Sequence, residues 1–164
     1  MDRVRPGAWI ASAVLALVVA APVPASATAK TTACSVITAK ELRRVLHTSF
    51  TSEPGGPTAC LWLSSDDGPL AEVNVSIIDS LSAQQIADGK RQERKQPGAV
   101  VLEGVGDLAI ARPEPKTDTS GNTTLGLLVF EGSIVGQMAV TIDGETPTTK
   151  QMRTLAKAMA ERLR

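Results

Sequence analysis

Few residues in this sequence are of types that do chemistry, and spacing decides what each can do. His47 is the one histidine in the 164-residue chain. A general base needs a nucleophile or carboxylate partner within hydrogen-bond reach. His47 instead falls at the C-terminal end of a helical segment beside a polar loop, where a protonatable ring faces water and the helix dipole. Carboxylates cluster at Asp66-Asp67 and at Asp143-Glu145. Both pairs lie in Gly-containing turns, where Asp is favoured for its bonds to nearby backbone. Neither has the D-x-D-x-D-G spacing of a calcium loop, so an irregular extracellular Ca²⁺ contact is the functional reading left to them. "EGVGDLA", residues 103 to 109, lacks the G-x-G-x-x-G spacing and the Walker lysine of a phosphate cradle. It reads as a tight turn into a strand, with Gly104 and Gly106 permitting unusual dihedrals. "KRQERK", residues 90 to 95, is a basic run with Glu93 inside it. Its plain reading is a solvated helix face, and its functional alternative is contact with an anionic envelope polymer or lipid headgroup. Ser64 and Ser133 lack a G-x-S-x-G elbow. No catalytic residue, metal site or cofactor is expected.

The two cysteines, Cys34 and Cys60, carry the strongest signal. Zinc prefers three or four Cys/His ligands, and only these two and His47 exist. Lipid attachment at Cys34 would want a small apolar consensus directly before it, and the preceding residues are "KTTA". It would also leave Cys60 unpaired in an oxidising compartment. The spacing favours a disulfide, and lipidation of Cys34 stays open as the alternative.

Export is read from the N-terminus. Arg3 and Arg5 precede an apolar run, Ala8 to Ala21, of about fourteen residues, which suits a signal-peptide h-region and is short for a membrane span. Pro22 and Pro24 follow, then "ASATA" with A-x-A cleavage options. Residues 1–29 are expected to be a secretory signal and residues 30–164 one domain, the competing reading being an uncleaved anchor. The later sequence holds no stretch apolar enough to span a bilayer. Removing residues 1–29 takes away Arg3, Arg5 and Asp2, so the formal charge moves from +0 to −1. Nothing in that balance attracts nucleic acid or an anionic surface as a whole. With no Tyr, two Phe and two Trp, one of them (Trp9) in the signal, the core must be aliphatic and stacking platforms for bases are not expected.

These residues need elements to hold them. "VITAKELRRVL" starts a helix, with Thr38 and Glu41 as a capping box and Ile37 and Leu42 as a hydrophobic staple. This puts Cys34 just ahead of the helix. "TSFTSEPGGPT" reads as a loop. "ACLWLSS" and "AEVNVSIID" read as a hairpin, with Cys60 and Trp62 on one face. "LSAQQIADGKRQERKQPG" predicts a short exposed helix capped by Ser82 and Gln85, fraying before Pro97. A strand follows at about Leu108 to Arg112, then a polar loop. A second hairpin turns at Glu131-Gly132-Ser133, with Gln137 and Thr141 pointing away from Met138 and Val140. The last helix is capped by Thr146 or Thr148 and buries Met152, Leu155, Ala156, Met159 and Leu163. The order α-β-β-α-β-β-β-α predicts one α+β domain in two layers. In it an antiparallel sheet carries the N- and C-terminal helices on one face and a polar outer face on the other, unless that face is covered.

The series "ACSVITAKELRRVL", "TACLWLSS" running into an alternating strand, "EGVGDLA" and "LAKAMAERL" resembles a family of small exported actinobacterial proteins, many of them lipoproteins, catalogued as a domain of unknown function. The resemblance spans about residues 33 to 163. It implies a signal peptide, a cysteine pair matching Cys34 and Cys60, and an envelope or extracellular location. Many relatives keep a lipid-modified cysteine ahead of that pair; its absence here implies a soluble, released form. The layout also looks like PsbP-type folds at the level of fold alone. The family brings no catalytic residues. The expected function is a secreted, non-enzymatic binding module at or outside the cell envelope, with a small molecule, a lipid or an envelope protein as partner. Its contact surface would lie on the polar sheet face around Asn74, Ser76, Gln137 and Thr141. The competing classes are a structural or assembly accessory of an envelope complex and an enzyme with an atypical carboxylate or serine site.

Overall fold

The computed structural model describes residues 31–65, 70–113 and 123–164. The expected signal peptide, residues 1–29, and the Asp66-Asp67 pair lie outside the described residues. The helices are α1 (Ala33–Val36), α2 (Ala39–Leu46), α3 (Ala83–Glu93) and α4 (Thr149–Leu163). The strands are β1 (Phe50–Pro54), β2 (Ala59–Ser64), β3 (Ala71–Ile78), β4 (Val100–Val101), β5 (Leu108–Pro113), β6 (Thr124–Glu131) and β7 (Ile134–Ile142). All seven strands form one antiparallel sheet in the order β1-β2-β3-β7-β6-β5-β4. The fold is α+β, with the first and last helices against the sheet, as the element order predicts.

Strand alternation builds the core face. Cys60 and Trp62 on β2, Val73 and Val75 on β3, Met138 and Val140 on β7, and Leu127 and Val129 on β6 are all buried. They meet Val36, Leu42, Met152, Leu155 and Met159 from α1, α2 and α4 in one cluster. Gly136 lets α4 lie close on β7: a Cβ there would sit 2.8 Å from Leu163 Cδ1 and 2.9 Å from Met159 Cε.

All three capping boxes form. Thr38 accepts from the Glu41 N–H, Ser82 from Gln85 and Thr148 from Gln151, and each partner side chain bonds back to its cap's N–H. Two of them also tie helices together. Glu41 Oε1 accepts from Arg162 Nη2 at 2.8 Å, and Gln151 Nε2 donates to the Val45 carbonyl at 2.9 Å. The start of α2 is thus pinned to the end of α4, and the start of α4 to the end of α2. Burial works to raise the Glu41 carboxyl; the hydrogen bonds from Arg162 and Thr38 outweigh it, so the group sits below its ordinary range.

Four expectations are corrected. Residues 50–54, expected as loop, form edge strand β1. Only Phe50 of its five residues is buried, so the strand carries almost no apolar pattern. Its order comes from pairing with β2, Phe50 opposite Ser64 through Pro54 opposite Cys60. Val100 and Val101 add a second short edge, β4, against β5. Cys34 lies inside α1, a single helical turn, not ahead of the first helix. The fourth correction concerns α3, which runs to Glu93 and covers part of the outer sheet face. Ile86 packs there with Leu108, Ile110, Leu128, Phe130 and Val135 in a second cluster. The outer face is polar at Glu72, Asn74 and Ser76 of β3 and at Gln137 and Thr141 of β7, while Leu61 and Leu63 of β2 and Ile78 of β3 on the same face are apolar. The helix persists through its polar half because Lys90 reaches Asp107 at 3.1 Å, 5.9 Å from the Phe130 ring centroid, and Glu93 reaches Arg112 at 3.2 Å.

Candidate functional site: a polar cavity on the outer sheet face

Sheet register places the outer-face residues in rows. Asn74 on β3 stands opposite Ala139 on β7, Ala139 opposite Gly126 on β6, and Gly126 opposite Arg112 on β5. Two small residues thus lie between two polar ones, and Ala139 forms part of the floor between them. In the next row Ser76 stands opposite Gln137, and Gln137 opposite Leu128. The C-terminal end of α3 closes one side with Glu93. The result is a cavity of about 380 Å³ lined by Asn74, Ser76, Gln137, Ala139, Leu128, Arg112 and Glu93. That is at the small end of ordinary ligand pockets.

Within the cavity the Ser76 hydroxyl donates to Gln137 Oε1 at 3.3 Å. This bond takes one of the two lone pairs of Gln137 Oε1 and orients its NH₂ as a donor edge. Arg112 Nε and Glu93 Oε2 form an ion pair at 3.2 Å, with Arg112 and Glu93 side chains 21% and 17% exposed. Both atoms are buried, and their alignment falls short of a hydrogen bond, so the contact is one of charge. The two side chains bring opposite charges together at the cavity wall. A serine becomes a nucleophile when a base takes its proton. The partner of Ser76 is a carboxamide, which does not. The cavity is thus equipped to hold and orient hydrogen-bonding groups.

Of the four residues expected on the contact surface, Asn74, Ser76 and Gln137 come together here. Thr141 faces the same side one row away, where its hydroxyl lies 2.7 Å from that of Thr124, and it does not line the cavity. Glu93 and Arg112 were not foreseen. The one signal for them was an acid set in a basic run on the helix and an arginine in phase with Leu108 and Ile110 on the strand.

The remaining chemistry-bearing residues have structural settings. Cys34 and Cys60 form a disulfide, with Cα atoms 5.0 Å apart, joining α1 to β2. His47 caps α2 in the left-handed conformation, φ 59°, on the exposed surface. The 103–109 segment turns over residues 103–107, where Gly104 and Gly106 have φ of 72° and 55°, and enters β5 at Leu108. Its Asp107 accepts from Lys90 Nζ and from the Gly132 N–H, each at 3.1 Å. The Lys90 hydrogen bond, then that from Gly132, holds the Asp107 carboxyl below its ordinary range. The motif thus locks α3 to the β6-β7 turn. The 90–95 run is only partly solvated. Lys90 and Glu93 turn to the sheet, Arg91 pairs with Asp88 along the helix, and Arg94 and Lys95 stay exposed. Asp143 joins the sheet through its N–H to the Leu70 carbonyl at 2.8 Å, and Glu145 bridges back to Ile142. The Ser64 hydroxyl accepts from the Ala71 N–H at 3.1 Å. Among the described residues, no helix is long and apolar enough to cross a membrane, and no three His, Cys, Asp or Glu side chains gather as a metal site. No family model matches the chain, no curated protein matches it, and no solved structure matches it.

Proposed function

We propose that the chain is an exported, disulfide-stapled, non-enzymatic binding module that acts at or outside the cell envelope and takes a small molecule in the outer-face cavity. The observation that carries this reading is the convergence of Asn74, Ser76 and Gln137 with the Glu93–Arg112 pair around one concave space. Export is supported by the N-terminal pattern and by a disulfide of the kind that persists in oxidising compartments.

Two measurements test the proposal. The intact mass of the exported protein, before and after reduction and alkylation, should match a chain cleaved near residue 29 with two thiols protected until reduction. A diacylglycerol-sized increment on a chain beginning at Cys34 would replace the released form with an anchored one. For the site, a library of small cationic, anionic and neutral polar compounds is titrated into isotope-labelled protein. Hits should map to the side-chain amide resonances of Asn74 and Gln137, and Gln137→Leu should abolish them. Hits that gather elsewhere, or none, would sink the site assignment.

A further inference from the structure

We infer that the groove between the end of α2 and the start of α4 is a second binding site, and that it takes a phosphate group. The groove lies on the helical side of the molecule, and the inference goes beyond the outer-face cavity and does not depend on it.

The sequence sets the charge. Over the whole chain the formal charges cancel, but these two helices do not share them evenly. Lys40, Arg43, Arg44 and His47 recur at spacings of three and four, and so do Lys150, Arg153, Thr154 and Lys157. Each series is therefore one helix face. The other faces, with Leu42 and Val45 on α2 and Met152, Leu155 and Met159 on α4, are held in the core. Every basic residue of the two series is exposed. Of the acids on these helices, Glu41 is engaged by Arg162 and Glu161 stands at the far end of α4.

Packing brings the two basic faces together. Gln151 Nε2 donates to the Val45 carbonyl at 2.9 Å, which fixes the start of α4 beside the end of α2. Arg44 and His47 from one side and Thr148, Lys150 and Thr154 from the other line a space of about 410 Å³. That is within the range of ordinary ligand pockets. Asp143 and Glu145, in the turn ahead of α4, do not line it.

The donors left for a ligand are the cationic ones. The Thr148 hydroxyl is taken up by Gln151 Oε1 at 2.9 Å, and that of Thr154 by the Lys150 carbonyl at 3.0 Å. Among the described residues, neither Arg44 nor Lys150 has a carboxylate partner. Lys150 is also at odds with its own helix. It stands in the first turn of α4, where the helix dipole disfavours a cation, and no acid stands in that turn. A local rule broken in this way is the mark of a functional position, and a bound anion would restore the balance. Arg44 offers a planar fork of donors and Lys150 a point charge from the facing helix. A phosphate has oxygens in several directions, so it can meet both at once. A carboxylate has two oxygens in one plane and a single charge.

The experiment titrates inorganic phosphate, glycerol 3-phosphate and acetate into the labelled, disulfide-intact protein. The Arg44 Nε–H and the backbone amides of residues 45–48 and 149–151 are followed. Both phosphates should move these signals with an affinity of about millimolar, the scale for so few atoms. Acetate should bind about tenfold more weakly or less tightly still. Arg44→Gln and Lys150→Gln should each weaken phosphate by about fivefold, the upper range for one exposed ion pair. Lys157→Gln, about 10 Å farther along α4, should leave phosphate binding unchanged. All three side chains are exposed, and unchanged backbone spectra confirm that each variant folds. Equal losses from Lys157→Gln and Lys150→Gln would mean a diffuse field and overturn the inference. Acetate binding as tightly as phosphate, or no movement with either phosphate, would overturn it too. Flotation with phosphatidylcholine vesicles, with and without phosphatidic acid, separates two sources of the same chemistry. Capture by phosphatidic acid that Arg44→Gln abolishes assigns the phosphate to a lipid headgroup. Glycerol 3-phosphate binding without capture assigns it to a soluble ester. Phosphate compounds are scored apart from the compound library for the outer-face cavity, whose hits move the Asn74 and Gln137 side-chain amides, so either proposal can fail alone.

Discussion

Reduction of the Cys34–Cys60 bond is the cleanest perturbation this fold offers, because it removes a restraint without deleting an atom from the core. The bond closes a loop with a sequence separation of 26. On the chain-entropy model that loop restricts the unfolded state by about 3.5 kcal/mol. The folded state should survive the loss, since total stability for a domain of this size is on the order of 5–15 kcal/mol and α1 still packs on β2, β3 and α4. For about 135 residues the unfolding entropy near the midpoint is about 0.28 kcal/mol per kelvin, so reduction should lower Tm by about 12 °C. In urea, with a slope of about 1.5–2 kcal/mol per molar, the midpoint should fall by about 2 M. The assay is paired urea melts with and without a phosphine reductant, read by far-UV circular dichroism and by Trp62 fluorescence. Trp62 is the one tryptophan among the described residues and shares the core face with Cys60. The Cys34→Ala/Cys60→Ala double variant should lose about 1 kcal/mol more, because Cys60 is buried and its sulfur leaves a void. A midpoint shift below about 0.5 M on full reduction, at unchanged slope, would refute the reasoning. It would mean that the reduced unfolded chain already keeps these two positions close.

Three further outcomes are expected. Gly104→Ala should cost about 1 kcal/mol for a left-handed backbone alone, since a Cβ there meets open space. Gly106→Ala should cost roughly 1–3 kcal/mol more, because its Cβ would lie 2.8 Å from the Phe130 carbonyl oxygen; equal losses in thermal melts would contradict the turn geometry. Ile86→Ala should speed hydrogen exchange in α3 by about thirtyfold or more, the equivalent of roughly 2 kcal/mol of lost burial, while β3 and β7 amides hold their protection. Uniform acceleration across the sheet would show that α3 is not a separate docking unit. Glu41 and Asp107 have lowered folded-state affinities for protons, so their stabilisation is complete above their ordinary values of 4.5 and 3.8 and is lost as pH falls through the lower folded values. Urea melts between pH 7 and about pH 2.5 should therefore show Glu41→Gln losing less on acidification than the wild type.

What could be read in advance follows physical lines. Thr38, Ser82 and Thr148 declare helix starts because capping is local chemistry, complete within four residues. The faces of β3 and β7 are legible because Val73, Val75, Met138 and Val140 alternate with polar neighbours. Strand β1 is not legible, since an edge that buries only Phe50 needs no apolar pattern and borrows its order from β2. The site was half legible. Asn74, Ser76 and Gln137 are polar residues on strands whose other face is apolar, and alternation finds such residues. Glu93 and Arg112 meet only because α3 folds back over the sheet, and their contact joins positions 19 residues apart, which no local pattern reports. Thr141 shares the alternation of Gln137 but not its place, because the concavity depends on neighbouring rows and on side-chain sizes across four strands.

The position of β7 bears on when this chain can fold. It is the last strand in the sequence and the middle strand of the sheet, seated between β3 and β6. The segments β1-β2-β3 and β4-β5-β6 are each joined by neighbouring antiparallel pairs, which can form early during synthesis. Neither has its inner edge closed until residues 134–142 arrive, and α4 is needed to cover the core face of β6 and β7. A chain emerging from its N-terminus thus stays without a completed sheet until almost all of it has been made. That delay leaves the inner edges of β3 and β6 open to pairing with other chains, so the final thirty-odd residues guard against aggregation as much as they complete the core.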